Sequence, residues 1–530
     1  MPILNPLPNN PILITLKGQF TKHWPFFLGL AVSFFLFSIA VTQLDFSFYP
    51  GDLIDARFNL YLLEHNFQWL TGNINSYWNA PFMYPETKVL SFSDNLMGSS
   101  LVYTAFRIGH ISPETSFQLW FVFIQGLNYL AAYWFLQKVF NDSWAAACGA
   151  LLFCCSLGLQ SQMAHAQVFA RFPIPLMLGY LYLFNQSHRL KHLYAALLFW
   201  VWQWYCGIYL GFLSLMVFVL GFALSFFNKG YSVFKSNSRW YKIGLLCLPL
   251  VGLLAVLPLA IPYLQRARQV SMHAYPLVAD SIPTLWSYFS SWKGSLFWDV
   301  LFGWYTHVPA YWDHMIFPGM MAWGGIAFWM FRALKNPRKS NLFLLLIFLG
   351  LFVSVLRLGD YSIYKLWYQV PGFASMKSLG RIINVHLIFF GAGLAYALQT
   401  LNQRFPQKRT LMGILCMLFL VLDNYVQPDN IHRREKHLSL QRINKICFEL
   451  QKYPLAKIFS YEPLHPEGLG ADYQLDAMLA AQRTGKTCIN GYSATSPGAF
   501  TPYWTLPNEA NRNYWLKASG VKIPNLIVLH

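Results

Sequence analysis

The chain has 530 residues, of which 55% are hydrophobic and 18% aromatic, and only 11% are charged. A soluble domain carries about a quarter charged residues, so this chain lacks the polar surface to cover itself in water. The net charge of +18 does not point to nucleic acid, which needs a basic face on one folded domain. Here the basic residues fall in short clusters between long apolar stretches, the positive-inside pattern of a membrane protein.

Residues 24–44 carry no charge and are long enough to cross a bilayer, which takes about 20 apolar residues. Lys17 and Lys22 precede them, which puts the N-terminus in the cytoplasm, and the stretch is too long for a signal-peptide core, so it reads as a retained anchor. The next charge-free stretch is 117–137. From 143 to 186 the chain goes out and back, with Ser161–Gln167 as the outer bend and His188–Lys191 as the inner landing. Residues 193–227 are again uncharged and too long for one span at about 1.5 Å per residue, so two tight spans are expected, bending near Tyr205-Cys206-Gly207. Lys229, Lys235, Arg239 and Lys242 return the chain to the inside.

Further spans are expected at about 243–264, 315–331, 342–356, 382–401 and 411–425, with the clusters Arg332/Lys335/Arg338/Lys339 and Arg404/Lys408/Arg409 inside. About eleven spans make every short basic loop cytoplasmic. The expected fold is thus a polytopic α-helical membrane domain over residues 1–426, with external segments at 45–116, 265–314 and 357–381. Residues 427–530 form a small extracytoplasmic α/β domain, with helices at 438–451 and 473–483 and strands at 456–460 and 523–529. Six of the 8 cysteines lie in apolar segments, where Cys acts as a small hydrophobe. Cys447 and Cys488 lie in the polar tail, and whether they pair stays open.

The richest chemistry follows the first span, in Tyr49-Pro50-Gly51-Asp52-Leu53-Ile54-Asp55-Ala56-Arg57. Leu60, Leu63, Phe67 and Leu70 then recur at helical spacing, so 53–70 is expected as an amphipathic helix along the interface. Asp52 and Asp55 suit the start of such a helix, where a carboxylate meets the free N–H groups and the positive dipole end. One of them can also act as a general base at the water–lipid boundary. Asp94 and Asp313 stand at other outer mouths, and three such acids can converge on one cavity. On the basic side, Arg57, Arg266, Arg268, Lys377 and Arg381 are all outside, against the charge bias. Fork-shaped Arg donors suit phosphate oxygens, while snorkelling to headgroups is the structural alternative. His165 and Arg171, near the 161–167 bend, read as structural hydrogen-bonding residues.

These residues, in this order, resemble the GT-C superfamily of membrane glycosyltransferases, and most closely a bacterial group of that type whose activity is largely inferred. The resemblance rests on Gly51, Asp52 and Asp55, on the run Trp78-Asn79-Ala80-Pro81-Phe82-Met83-Tyr84-Pro85, and on Ser93-Asp94. It continues through Asp313 before Phe317-Pro318-Gly319, Ser375 and Ser378 before Arg381, and Asn490-Gly491-Tyr492-Ser493. Glu is expected where this chain has Asp313, which leaves that residue's role open. The resemblance implies a bacterial cytoplasmic-membrane enzyme that moves a sugar from a polyprenyl-phosphate donor to a glycan, lipid or protein acceptor on the outer side, with inversion. Asp52 or Asp55 would be the base, Asp94 and Asp313 supporting acids, and Arg381 the leading phosphate ligand, with Lys377, Arg266, Arg268 and Arg57 as further candidates. A divalent cation could share the phosphate charge, and no other cofactor is implied. Two other classes remain: a translocase of lipid-linked sugars, which predicts ionisable residues deep within spans, and a non-catalytic scaffold in which the acids only cap helices.

Overall fold

The computed structural model describes residues 23–51, 54–163, 165–269, 273–302, 308–337, 341–464, 470–523 and 526–530. Among them, seven helices are long and apolar enough to cross a membrane: His23–Thr42, Pro113–Phe140, Ser143–Gln160, Ala166–Ser187, Ile208–Asn228, Arg239–Ala267 and Leu379–Arg404. The chain is therefore a multi-pass membrane protein. The remaining four expected segments are also helical, at Leu190–Cys206, Met320–Lys335, Leu342–Ser354 and Arg409–Asp423, but are 13 to 17 residues long. At about 1.5 Å per residue these fall short of a hydrocarbon core of about 30 Å, so length alone supports seven spans and the other four rest on the charge bias.

Local chemistry sets the helix ends. Ser112 accepts from the Thr115 N–H ahead of Pro113, and the Pro113–Phe140 helix stops at Asn141 in the left-handed region. Asp142 then caps the next helix through the Ala145 N–H at 3.0 Å. The expected bend at Gly207 is a clean break between Leu190–Cys206 and Ile208–Ser225. A Cβ at Gly207 would stand 2.8 Å from the Gln167 carbonyl, so glycine lets this break meet the 161–167 bend. Within the core, Gly149 faces Gly391, and a Cβ on either would stand 2.5 Å from the other's carbonyl oxygen. Small residues at such crossings allow the close helix contact that lipid cannot drive by the hydrophobic effect.

The helix expected at 53–70 runs Asp55–Leu70, but it is not half-exposed. Ala56 to Asn66 are all buried, polar Asn59, Glu64, His65 and Asn66 included. The reason is the tail. Phe48–Pro50, just after the first span, pairs antiparallel with Arg433–Glu435, and the helix Gly470–Thr484 then packs over Asp55–Leu70. Fully buried Arg57 pairs there with Asp476 and, at 3.9 Å, with Asp472, while Arg442 closes on Asp476 at 2.8 Å. Gln482 Nε2 donates to the Tyr61 carbonyl at 3.1 Å. Removing one partner of a buried pair leaves an uncompensated charge. Asp476→Asn should therefore cost about 3–5 kcal/mol, read as a lower unfolding temperature of the detergent-solubilised protein.

The expected tail helices appear as Lys436–Gln451 and Gly470–Thr484. The expected strands are Ile458–Tyr461 and Ile527–Leu529, which with Thr487–Cys488 form a parallel three-stranded sheet with Ile458–Tyr461 at its centre. Residues 81–84 run beside its edge: Cys488 N donates to the Pro81 carbonyl at 3.2 Å and Met83 N to that of Asn490 at 2.9 Å. The sequence runs ending at Pro85 and beginning at Asn490 thus meet. Cys447 and Cys488 are free thiols.

Candidate functional site

The site forms where the start of the 55–70 helix, the 161–167 bend, the Ile208 helix start and the 373–382 segment come together under the tail. Asp55 is its best-held acid. His165 Nδ1 donates to one carboxylate oxygen at 2.6 Å and the Tyr492 hydroxyl to the other at 2.6 Å. Asn59 bridges the Asp55 carbonyl and the Gln167 side chain. Burial works against the Asp55 charge, but His165, Tyr492 and the more distant Arg381 outweigh it and hold the carboxyl down at about 2. Asp55 is an anion at every physiological pH.

Asp94 accepts from the Ile208 N–H at 2.6 Å, at the N-terminus of a membrane helix, where the exposed N–H groups and dipole favour a negative charge. Burial nevertheless pushes its carboxyl up to about 6, with the Ile208 bond and Arg381 opposing. Asp313 is 4% exposed and accepts from Ser378 Oγ at 2.5 Å; its carboxyl is raised by burial, against Ser378, Arg381, His165 and Lys377. Gly380 is required beside it, since any Cβ there would collide with the Asp313 carbonyl.

Arg381 faces all three acids, lowering each electrostatically. Its guanidinium lies 4.4 Å over the Tyr209 ring, and Tyr209 in turn accepts from the Ser378 N–H at 2.7 Å. No ion pair or hydrogen bond holds the guanidinium among the described residues, and its buried Nε has no partner. Lys377 is exposed nearby, and Arg268 is exposed at the end of its helix. Arg57 and Arg266 sit differently. Arg57 is turned to the tail acids, and Arg266 bonds Glu86, Ser91, Gln269 and the Thr87 carbonyl and stacks 3.9 Å over Phe92. Asp52 lies outside the described residues. Among those described, no group of three or more His, Cys, Asp or Glu is placed to hold a metal ion.

Asp55, Asp94, Asp313 and Arg381 therefore share one site. Sequence reasoning missed His165, Tyr209 and Tyr492 as its partners, although the polar bend and the Asn490–Ser493 run had marked two of them.

A pH effect follows. Asp94 is faced by Arg381, Tyr77 and Tyr263. Below about pH 6 it is neutral and leaves Arg381 free for an anion; above, its carboxylate competes. The affinity of a phosphodiester ligand, which does not titrate in this range, should therefore fall as pH rises through about 6. Asp94→Asn should flatten that dependence in equilibrium binding between pH 5 and 8.

No protein-family model and no curated protein matches this chain. Solved structures share its fold. It is similar to the oligosaccharyltransferase of Archaeoglobus fulgidus in the apo form, at 13% identity and a TM-score of 0.50 over 95% of this chain and 69% of that one. The same organism's AglB, in complex with an inhibitory peptide and a dolichol-phosphate, matches over the same shares at 14% identity and a TM-score of 0.50. The mycobacterial arabinofuranosyltransferase AftD aligns over 83% of this chain and 29% of its own, at 13% identity and a TM-score of 0.49. The chain thus shares the fold of these archaeal oligosaccharyltransferase structures.

Proposed function

We propose that the protein is a glycosyltransferase that moves a sugar from a polyprenyl-phosphate donor to an acceptor hydroxyl at the outer face of a bacterial cytoplasmic membrane. The observation that carries this is Arg381, a cation set among three carboxylates yet bonded to none of them. Its fork is open to phosphate oxygens, with Lys377 and Arg268 as outlying charges. Arg57 and Arg266, engaged elsewhere, serve the fold.

The acceptor oxygen attacks the anomeric carbon opposite the phosphate. The carbon–oxygen bond to phosphate breaks, its electron pair leaves with the lipid phosphate, and configuration inverts. Arg381 stabilises the charge that grows on the leaving group, and the acceptor proton passes to Asp55. A resting value of about 2 makes Asp55 a weak proton acceptor. Donor binding corrects this, because the phosphate offsets Arg381, one of the charges holding Asp55 down. The base thus gains strength only when the donor is in place. Asp94 and Asp313 keep Arg381 oriented, and Asp52 stands close enough in sequence to share the proton-accepting role.

The dolichol-phosphate complex of the archaeal AglB supports a lipid-linked donor. In this reading all eleven helices span, the N-terminus is cytoplasmic, and residues 427–530 form a small α/β domain outside, over the site. The test uses protein in liposomes with a sugar–polyprenyl phosphodiester. Acceptor-dependent release of polyprenyl phosphate supports transfer. Passage of the intact lipid across the bilayer with no release makes the protein a translocase instead.

A further inference from the structure

A second opening lies beside the first span. A cavity of about 180 Å³ lies between the first span, the Ser143–Gln160 helix and the Arg409–Asp423 helix, walled by Phe35, Leu36, Ala40, Leu151, Leu420 and Ile431. Phe35 lies within the first span and is 62% exposed, so the mouth faces acyl chains. A narrower extension shares Leu36 and Ala40 and reaches Met163, Trp292 and His432.

This inner end sets the side chains of Gln160 and His432 among apolar ones. His432 stacks on Trp292 at 4.4 Å between ring centroids, and its buried Nε2 has no hydrogen-bond partner. Its carbonyl accepts from the Gly51 N–H at 2.9 Å, four residues before Asp55 in the chain. Met163, in the groove wall, is two residues from His165, which bonds Asp55. Burial, then His165 and Arg434, hold the His432 imidazole at about 4, so at neutral pH it can accept or donate one hydrogen bond. Arg381 acts electrostatically on Asp94, Asp55 and Asp313, and His165 on Asp55, Asp313 and His432.

We propose that this groove seats the apolar chain of a membrane-anchored acceptor, a lipid bearing a free hydroxyl that reaches Asp55 past His432. The proposal rests on the sugar-transfer reading and names its acceptor class. The donor's own chain is assigned elsewhere, because it is rooted at the phosphate on Arg381, which lines neither cavity. The acceptor's O–H oxygen forms the new bond to the anomeric carbon, its proton goes to Asp55, and polyprenyl phosphate leaves on the far side.

The test uses the full chain in liposomes containing a glucosyl diacylglycerol with a diazirine in its acyl chain. Irradiation should label the peptides around Leu36 and Leu420 several-fold more than the exposed lipid face at Leu250 and Leu254. Ala40→Trp and Ile431→Trp, which fill the groove from opposite walls, should each abolish that excess while leaving the binding of polyprenyl phosphate unchanged, which also shows that the variants are folded. Labelling no greater than at Leu250 overturns the proposal. So does competition by polyprenyl phosphate, or loss of its binding in the two groove variants, either of which gives the groove to the donor and leaves the sugar-transfer reading standing. That reading fails separately if Arg381→Gln binds polyprenyl phosphate as well as the wild type.

Discussion

Asp55→Asn should lower sugar transfer by about 10²–10⁴-fold, the usual contribution of a general base. The amide keeps the shape and one carbonyl acceptor but takes no proton. It also removes a negative charge near Arg381, so donor affinity should hold or rise while turnover falls. That split separates a catalytic loss from misfolding, which would lower both. Single-turnover rates with donor prebound, set beside equilibrium donor binding, give the two numbers, and unchanged turnover would remove Asp55 from the chemistry. Asp52→Asn in the same assay decides between the two acids, since the one that takes the proton must show the larger fall. Tyr492→Phe keeps the carboxylate but drops one hydrogen bond to it and should fall between.

Arg381→Gln should cost about 10²–10³-fold in turnover, the scale seen when a single donor to developing negative charge is lost, and should weaken donor binding as well. Arg381→Lys keeps the charge but not the planar fork or the full stacking on Tyr209, so it should recover binding more than rate. The loss of this cation has a second signature. It relieves Asp94, whose carboxyl then titrates above about 6 because burial acts on it unopposed by a nearby charge. If both variants bind and turn over donor normally, the phosphate sits elsewhere.

That the chain crosses a membrane several times was legible because its cause is local. A charge-free run either can or cannot cross a bilayer. The break at Gly207 was legible too, as a glycine in a run too long for one span. The acids at span mouths also stood out, since a carboxylate where an apolar helix ends is conspicuous without knowing its partners. The partners were not legible. Asp55 meets His165 110 residues away and Tyr492 437 residues away, and no periodicity links such positions. Arg57, Arg266 and Arg381 look alike in sequence, each an external arginine near a helix end. Only packing distinguishes them: tail acids claim Arg57, Glu86 and the 87–91 backbone and side chains claim Arg266, and Arg381 rests on a tyrosine ring. The buried helix 55–70 was misjudged as half-exposed for the same reason, since what covers it comes from Gly470–Thr484.

The Asp55–Tyr492 contact also orders events during biosynthesis. Its first half is synthesised 437 residues ahead of its second. Until the last stretch has reached the same compartment and clamped down through Arg57, the nascent protein has an acid without its tyrosine and an uncovered helix. A nonsense mutation that removes residues 491–530 takes away this contact and should abolish any sugar transfer in the liposome assay.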